Sequence, residues 1–317
     1  MRHIVLQPRG EAQAHLTQHL IAVRAIFALR RGTDLMALFN RSPVVPVLRF
    51  SGPIGMATPL RPGLALASVA GAIEKAFSLS KLPSVAISVN SPGGSPVQSN
   101  MIFNRIRQLA VERNKRVYVF CEDVAASGGY YLALAGDEIY ADPSSIIGSI
   151  GVISAGFGFD KLIERFGIER RVYTAGKDKG TLDPFRPEKP EDVAHLKALQ
   201  RDVHDVFMGI VKARRAGRLK GPEEELFSGS FWSAAKAVDY GLIDGISDMR
   251  TKMQEKHGDK VRLRVVPLAP GGLLSRFRRL PGLESGWTGG GFALPGLIAD
   301  DVISAVEARS LWSRFGL

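Results

Sequence analysis

The segment Ala125-Ala126-Ser127-Gly128-Gly129-Tyr130-Tyr131 stands directly after the β-rich run Arg116–Cys121 and opens a helix. A serine at a strand-to-helix turn can hold its hydroxyl above the sheet edge, beside free N–H groups and the positive end of the helix dipole. Small neighbours let a substrate backbone come close. The same residues also fit a plain helix N-cap in a tight turn. A second turn, Asn90-Ser91-Pro92-Gly93-Gly94-Ser95, follows another strand and opens another helix. On neighbouring parallel strands the two turns would face each other at the carboxyl edge of the sheet, where open α/β folds bind ligands. One N–H from the glycine pair and one from the residue after Ser127 would make an oxyanion hole. Each such donor is worth ~2.7–4 kcal/mol in a transition state. A phosphate or CoA cradle is the alternative use of the glycine turn, but GxxxxGK[ST] is absent.

A serine nucleophile needs a base. His3, His15 and His19 lie near the N-terminus and His257 near the C-terminal tail. His195 and His204 share one long helix but are nine residues apart, on opposite sides, so they read as flank residues. His15 and His19 have i, i+4 spacing, yet no third ligand or HExxH pattern accompanies them, so no metal site is expected. Thr174-Ala175-Gly176-Lys177-Asp178-Lys179-Gly180 places two lysines in one loop. A lysine against an apolar wall gives up its proton more readily and can serve as a base. A solvated loop lysine is the ordinary alternative.

Alternating strands and helices must position these groups. Val44–Phe50, Ser84–Asn90, Arg116–Cys121 and Glu138–Ala141 read as strands, as do Gly151–Ser154, Arg170–Thr174 and Lys260–Pro267. Leu64–Leu79 has helical periodicity. Ser95-Pro96-Val97-Gln98 looks like a capping box opening a helix through Val97, Met101, Ile102, Ile106 and Leu109. Pro190 opens a long helix to about Ala216, and Ser233–Tyr240 is a shorter one. Such alternation calls for a parallel sheet with right-handed crossovers. Gly271, Gly272, Gly282, Gly286 and Gly289-Gly290-Gly291 mark a loose tail before a terminal apolar-periodic run, Ile298–Phe315.

At 45% hydrophobic and 23% charged, the 317 residues can bury a substantial core, which excludes disordered and disulfide-stapled classes. One cysteine, Cys121, cannot pair within the chain, so redox chemistry leaves the compartment unconstrained, with the cytoplasm slightly favoured. The net charge of +11 sits mainly in two arms: +4 in residues 1–43, +5 in 250–317 and only +2 between them. Basic arms suit anionic lipid, RNA or an acidic partner, and equally a solubilising surplus. Leu16, Leu20, Val23 and Phe27 form an amphipathic stripe, fit for a membrane surface or a neighbouring subunit. No run reaches the ~18–20 apolar residues of a spanning helix.

NSPGG, AASGGYY, GSIGV at Gly148–Val152 and TAGxxK at Thr174–Lys179 occur in this order, followed by a long helix and AAKAVDYGLID at Ala234–Asp244. Together they resemble the signal peptide peptidase A / protease IV family, its SohB-like branch especially, over roughly Val44 to Met249. The resemblance implies a ClpP/crotonase-like α/β fold and a Ser-Lys dyad. Ser127 matches the nucleophile, Lys179 the general base and Ser149 the serine that orients the lysine. Gly94 and Gly128 match the oxyanion donors, and Gly93 shapes that turn. It further implies peptide substrates derived from membranes or signal sequences, no cofactor, no metal and a ring-like homo-oligomer. Family members commonly carry an N-terminal membrane anchor, and none is visible in this sequence. The expectation is therefore a serine endopeptidase, cytoplasmic or peripheral to the inner membrane. Its parts would be a basic arm (1–43), a peptidase domain (44–249) and a Gly/Pro-rich extension (250–317). No specific nucleic acid is expected as a partner. A crotonase-type acyl-CoA hydratase or isomerase on the same fold, or a non-enzymatic membrane scaffold, are the alternatives.

Overall fold

A computed structural model describes residues 42–56, 63–268 and 305–317. The chain separates into two units, Met1–Pro43 and Val44–Leu317, and the described residues lie almost wholly in the second. The amphipathic stripe in the N-terminal arm and most of the Gly-rich tail fall outside the described residues.

Strands β1 (Val44–Ser51), β2 (Ser84–Ser91) and β3 (Arg116–Ala126) alternate with helices α1 (Leu66–Ser78) and α2 (Pro96–Glu112). After β3 come α3 (Gly128–Ala133), β4 (Glu138–Ala141), β5 (Ile146–Gly148) and α4 (Asp160–Arg165). The long α5 (Pro190–Arg214) and short α6 (Glu223–Leu226) lead to β6 (Phe231–Ser233), α7 (Ala234–Asp239) and β7 (Gly245–Ile246). Helix α8 (Met249–His257) and β8 (Arg262–Val265) follow, and residues 305–313 are again helical.

The eight strands form one sheet in the order β6-β5-β3-β2-β1-β8, with β4 paired to β3 and β7 to β4. Every pairing is parallel except β5 with β6, as the ClpP/crotonase-like reading requires. Parallel strands covered on both faces need continuous apolar runs rather than alternation. β2 meets this with only Asn90 short of full burial. One face packs on α1, α2, α3, α5 and α7 through Ile73, Ile106, Tyr130 and Phe207 among others. The other face buries Val45, Tyr118, Phe120 and Tyr140 under Met253 of α8.

Strand β3 places the serine. Tyr118–Cys121 pairs with β4, whereas Val124–Ala126 pairs with β5. Between them the register against β2 shifts, Val89 facing Cys121 but Ser91 facing Ala125. This irregularity re-aims the end of the strand. Phe315 and Trp312 pack on Val124, Ala126 and Ile146 beneath that end.

Two expected strands do not form. Gly151–Ser154 and Arg170–Thr174 have strand-like composition but no strand partner among the described residues, and Arg170–Thr174 is almost fully exposed. β-propensity expresses packing on a pleated surface, and neither segment has one to pack on. The Lys260–Pro267 strand does form. As β8 it pairs with β1, Val45 beside Leu263, so the sheet runs past the boundary expected at residue 249.

Behind the sheet, Arg215 is almost fully buried. Its guanidinium spans both oxygens of Asp244 at 2.9 and 3.1 Å and donates to Gly241 O. Burial alone would raise the Asp244 carboxyl. The hydrogen bonds and charge of Arg215, with the Ile139 N–H and Arg218, outweigh it and hold the group below its ordinary value. The associated stability is fully present above the unfolded carboxyl value of ~3.9 and is lost as pH falls through the lower folded value. Arg215→Met should destabilise the protein by about 3 kcal/mol, the low end for breaking a buried pair because Arg218 remains. Urea denaturation checks this, with the difference shrinking as the pH is taken below that range.

Candidate active site

The two glycine turns meet backbone to backbone. Gly93 and Gly94 have φ of +106° and +141°, in the region only glycine occupies without strain. Ile54 grips the turn from both sides, its N–H donating to Gly93 O at 2.8 Å and its carbonyl accepting from Ser95 N at 2.9 Å. A Cβ on Gly94 would lie 2.1 Å from Ile54 O. A Cβ on Gly93 would lie 2.8 Å from the Ser127 Cβ and 3.0 Å from Gly128 N. Gly129 is held equally close, with Ser91 O 2.3 Å from where its Cβ would be.

Ser127 sits at the N-cap of α3 with φ +52° and ψ −121°, and its side chain makes no capping bond. Its N–H donates to Gly148 O at 2.8 Å and its carbonyl accepts from Tyr131 N. The plain N-cap reading therefore fails: among the described residues the hydroxyl has no hydrogen-bond partner. The N–H groups of Gly94 and Gly128 have no acceptor among the described residues, and they flank the serine. Strain of this kind costs on the order of 1–3 kcal/mol and persists only where surroundings impose it.

Ser149 has the same φ of +52° and is buried. The β3–β5 ladder ends with Ala126 beside Gly148, and the Ser127 N–H donates to Gly148 O, one residue before Ser149. Trp232 fills the space beside Gly148, and Ser149 N donates to Ser230 O at 2.7 Å. His204 is half-buried with Nε2 3.1 Å from Ile150 O, so it braces this turn rather than facing Ser127. His195 is exposed. Cys121 is no rival nucleophile, because burial pushes its thiol up to about 12.

Ser127 opens onto a cavity of about 170 Å³ that Gly94 and Gly128 also line. Its walls are Val97, Tyr131, Val152, Val203, Val206 and Phe207. The polar side chain of Asn100 is engaged by Tyr131 OH at 3.0 Å. The Tyr131 and Phe207 rings lie tilted against each other, their centroids 4.9 Å apart. Sequence periodicity reads Val97 and Met101 as core positions of α2, yet they are 64% and 41% exposed. Nothing in a helical repeat separates a residue facing a cavity mouth from one facing the core.

The structure thus brings together Gly93, Gly94, Ser127, Gly128 and Ser149. Lys179 is not among them within one chain. It lies in the Gly176–Gly180 turn, exposed, and does not line the cavity. Lys177 is exposed beside it. No residue from Gly151 to Lys189 is buried, and Ile153, Phe157, Leu162, Phe166, Ile168 and Tyr173 of that stretch are largely exposed. Among the described residues no cluster suited to a metal ion occurs.

Residues 110–262 match the model for peptidase family S49. The serine protease SPPA, chloroplastic, of Arabidopsis thaliana is 33% identical over 181 residues, 56% of this chain and 26% of that protein. "Probable protease SohB" of Buchnera aphidicola is 29% identical over 174 residues, 55% of this chain and 50% of that protein. A Brucella abortus protein named Na(+)/H(+) antiporter NhaA is 54% identical over 278 residues, 86% of this chain. A stretch that long must include residues 110–262. It spans only 37% of the Brucella protein. No helix of the described residues is long and apolar enough to cross a membrane.

Because the positive φ at Ser127 opposes any side chain, Ser127→Gly should be more stable than Ser127→Ala by about 1 kcal/mol, strain relief exceeding the entropy cost of glycine. Paired urea titrations of the two variants measure this. Equal stabilities would show that the turn stores no strain.

Proposed function

Because the chain belongs to peptidase family S49, we propose that it is a serine endopeptidase with Ser127 as nucleophile and Lys179 as general base. The observation that carries this reading is the Ser127 hydroxyl, without a partner among the described residues, beside two N–H groups equally unpartnered there, at the mouth of an apolar cavity. Neutral Lys179 takes the proton from Ser127 Oγ as that oxygen attacks the peptide carbonyl. The carbonyl electrons move to oxygen, where Gly94 N–H and Gly128 N–H stabilise the charge. Collapse expels the amine, which receives the proton from Lys179 and leaves an acyl-serine. Water, deprotonated by Lys179, then attacks the ester and regenerates both groups. Ser149, beside Ser127, aims the lysine amine.

Lys179 reaches the serine of a neighbouring protomer. Supporting this are its exposed place outside the cavity and the apolar side chains of Gly151–Lys189, which find no core in their own chain. A head-to-tail ring of identical interfaces would cover those side chains and complete each site from two chains. Substrates are apolar peptide segments such as those left from membranes or signal sequences. The basic arms hold the particle at the cytoplasmic face of an anionic membrane.

Ser127→Ala and Lys179→Ala should each lose on the order of 10⁴-fold or more in kcat while staying folded. Lys177→Ala should keep most activity. Co-assembled at random, the two inactive variants should recover about a quarter of wild-type activity, since a site is intact only where each chain donates its surviving residue. Background activity from particles shown by mass spectrometry to be mixed would place the dyad within one chain.

The cavity sets a further expectation. Peptides with a medium apolar side chain before the scissile bond should exceed those with a charged one by about 10²-fold in kcat/KM, as burying an unpaired charge there is costly. A peptide series varied at that position reads this directly. Indifference to charge would mean that the cavity does not receive that side chain.

A further inference from the structure

At the opposite end of the sheet, where β3 and β4 begin, lies a second cavity of about 540 Å³. The 11 residues of β3 separate it from the Ser127 turn by roughly 30 Å. It is lined by five cations, Arg107, Lys115, Arg116, Arg214 and Arg218, and by one carboxylate, Asp137. This surplus stands out in a central region whose net charge is only +2.

The guanidinium groups are fixed by backbone carbonyls rather than by carboxylates alone. Beyond the end of α3, Leu134 O accepts from Arg214 Nε at 2.9 Å, Ala135 O from Arg107 Nη1 at 2.9 Å and Gly136 O from Arg214 Nη2 at 2.8 Å. Asp137 accepts from Arg107 at 2.9 Å and from Arg214 at 3.4 Å, and its other oxygen accepts from Val117 N. Arg218 Nη1 reaches Asp137 O and Asp244. Lys115 Nζ is held by Ser80 O and Leu82 O at 2.6 and 2.7 Å. These bonds set the positions of the heads yet leave donors over. Among the described residues, Nε and Nη2 of Arg107, Nη1 of Arg214, and Nε and Nη2 of Arg218 have no acceptor. Burial and the charge of Arg107 push Arg214 below the ordinary arginine value, and Asp137 offsets only part of this.

Rigid guanidinium forks with spare N–H groups and a surplus of positive charge match an oxyanion carrying more than one negative charge. We propose that this cavity binds a phosphate group, either free in solution or on a lipid headgroup. Carbonyl-anchored arginines lose little freedom on binding, so the anion meets a site already arranged. The site is independent of the peptidase reading and far from Ser127.

The test uses the full chain in two arms. Inorganic phosphate is titrated calorimetrically at constant ionic strength against chloride. Sedimentation then compares phosphatidylcholine vesicles with and without phosphatidate. Wild type should bind phosphate saturably. Arg107→Gln with Arg218→Gln should weaken it at least ~10-fold, and Lys212→Gln elsewhere on α5 should not. Arg218→Gln alone, at a side chain 46% exposed, provides the comparison if the double variant melts early without phosphate. Variant-sensitive binding in the phosphate arm assigns a soluble ligand, and in the vesicle arm alone a headgroup. Either supports the site. Binding that the arginine variants leave unchanged in both arms, or a phosphate effect no greater than that of chloride, overturns it.

Discussion

Two loops of backbone are packed against each other at one edge of the sheet with no room for a Cβ between them. The Cβ of Ser127 stands 2.8 Å from where one would project at Gly93, and Ser91 O 2.3 Å from where one would project at Gly129. Side chains at these positions would wedge the two turns apart and carry the Gly94 and Gly128 N–H groups out of a common focus. The parallel sheet serves this approach. Its β2–β3 pairing brings the strand ends together, the register shift after Val89 tips the second turn over the first, and Ile54 ties the first turn down. The positive φ values at Ser127 and Ser149 accompany backbone bonds that hold both turns, Ser127 N to Gly148 O and Ser149 N to Ser230 O.

The molecule has two regions of different character. The turns around Ser127 are buried, hydrogen-bonded and narrow. Lys179, the proposed base, lies in a stretch without one buried residue, displaying aromatic rings to its surroundings. The rings of Phe157, Phe159 and Phe185 lean on one another at 5.5–6.2 Å, which gives the stretch some local order without a core beneath it. Stability in such a protein is uneven, concentrated under the serine and sparse around the lysine.

This unevenness explains what could be read from the residues. Long, periodic segments declare themselves: α5 and β2 contain enough of their own pattern to be recognised without knowing their neighbours. The two- and three-residue strands β5, β6 and β7 contain almost none. Ile146–Gly148 is a strand because Val124–Ala126 and Phe231–Ser233 lie on either side of it, a fact about residues remote in sequence. Arg170–Thr174 shows the converse, strand-like side chains without a ladder. In the site, turn chemistry made Gly93, Gly94 and Ser127 legible, because glycine and an elbow serine answer to local backbone needs. The cavity walls did not stand out, since Val97, Val203 and Phe207 join there only because α2 and α5 both pack on Tyr131 of α3. His204 looked idle for a similar reason, its partner Ile150 O being 54 residues away.

The pairing of β1 with β8 has a consequence for how the chain is made. Val45 leaves the ribosome 218 residues before its partner Leu263. At synthesis rates of about 5–20 residues per second, that edge waits roughly ten to forty seconds for its cover. During this interval β1 presents unpaired backbone to any other nascent strand nearby. The backbone groups that face this edge include those of Val47, whose carbonyl later accepts from Val266 N at 2.8 Å. Yield in cells should therefore depend on translation speed and chaperone supply more than the finished sheet would suggest.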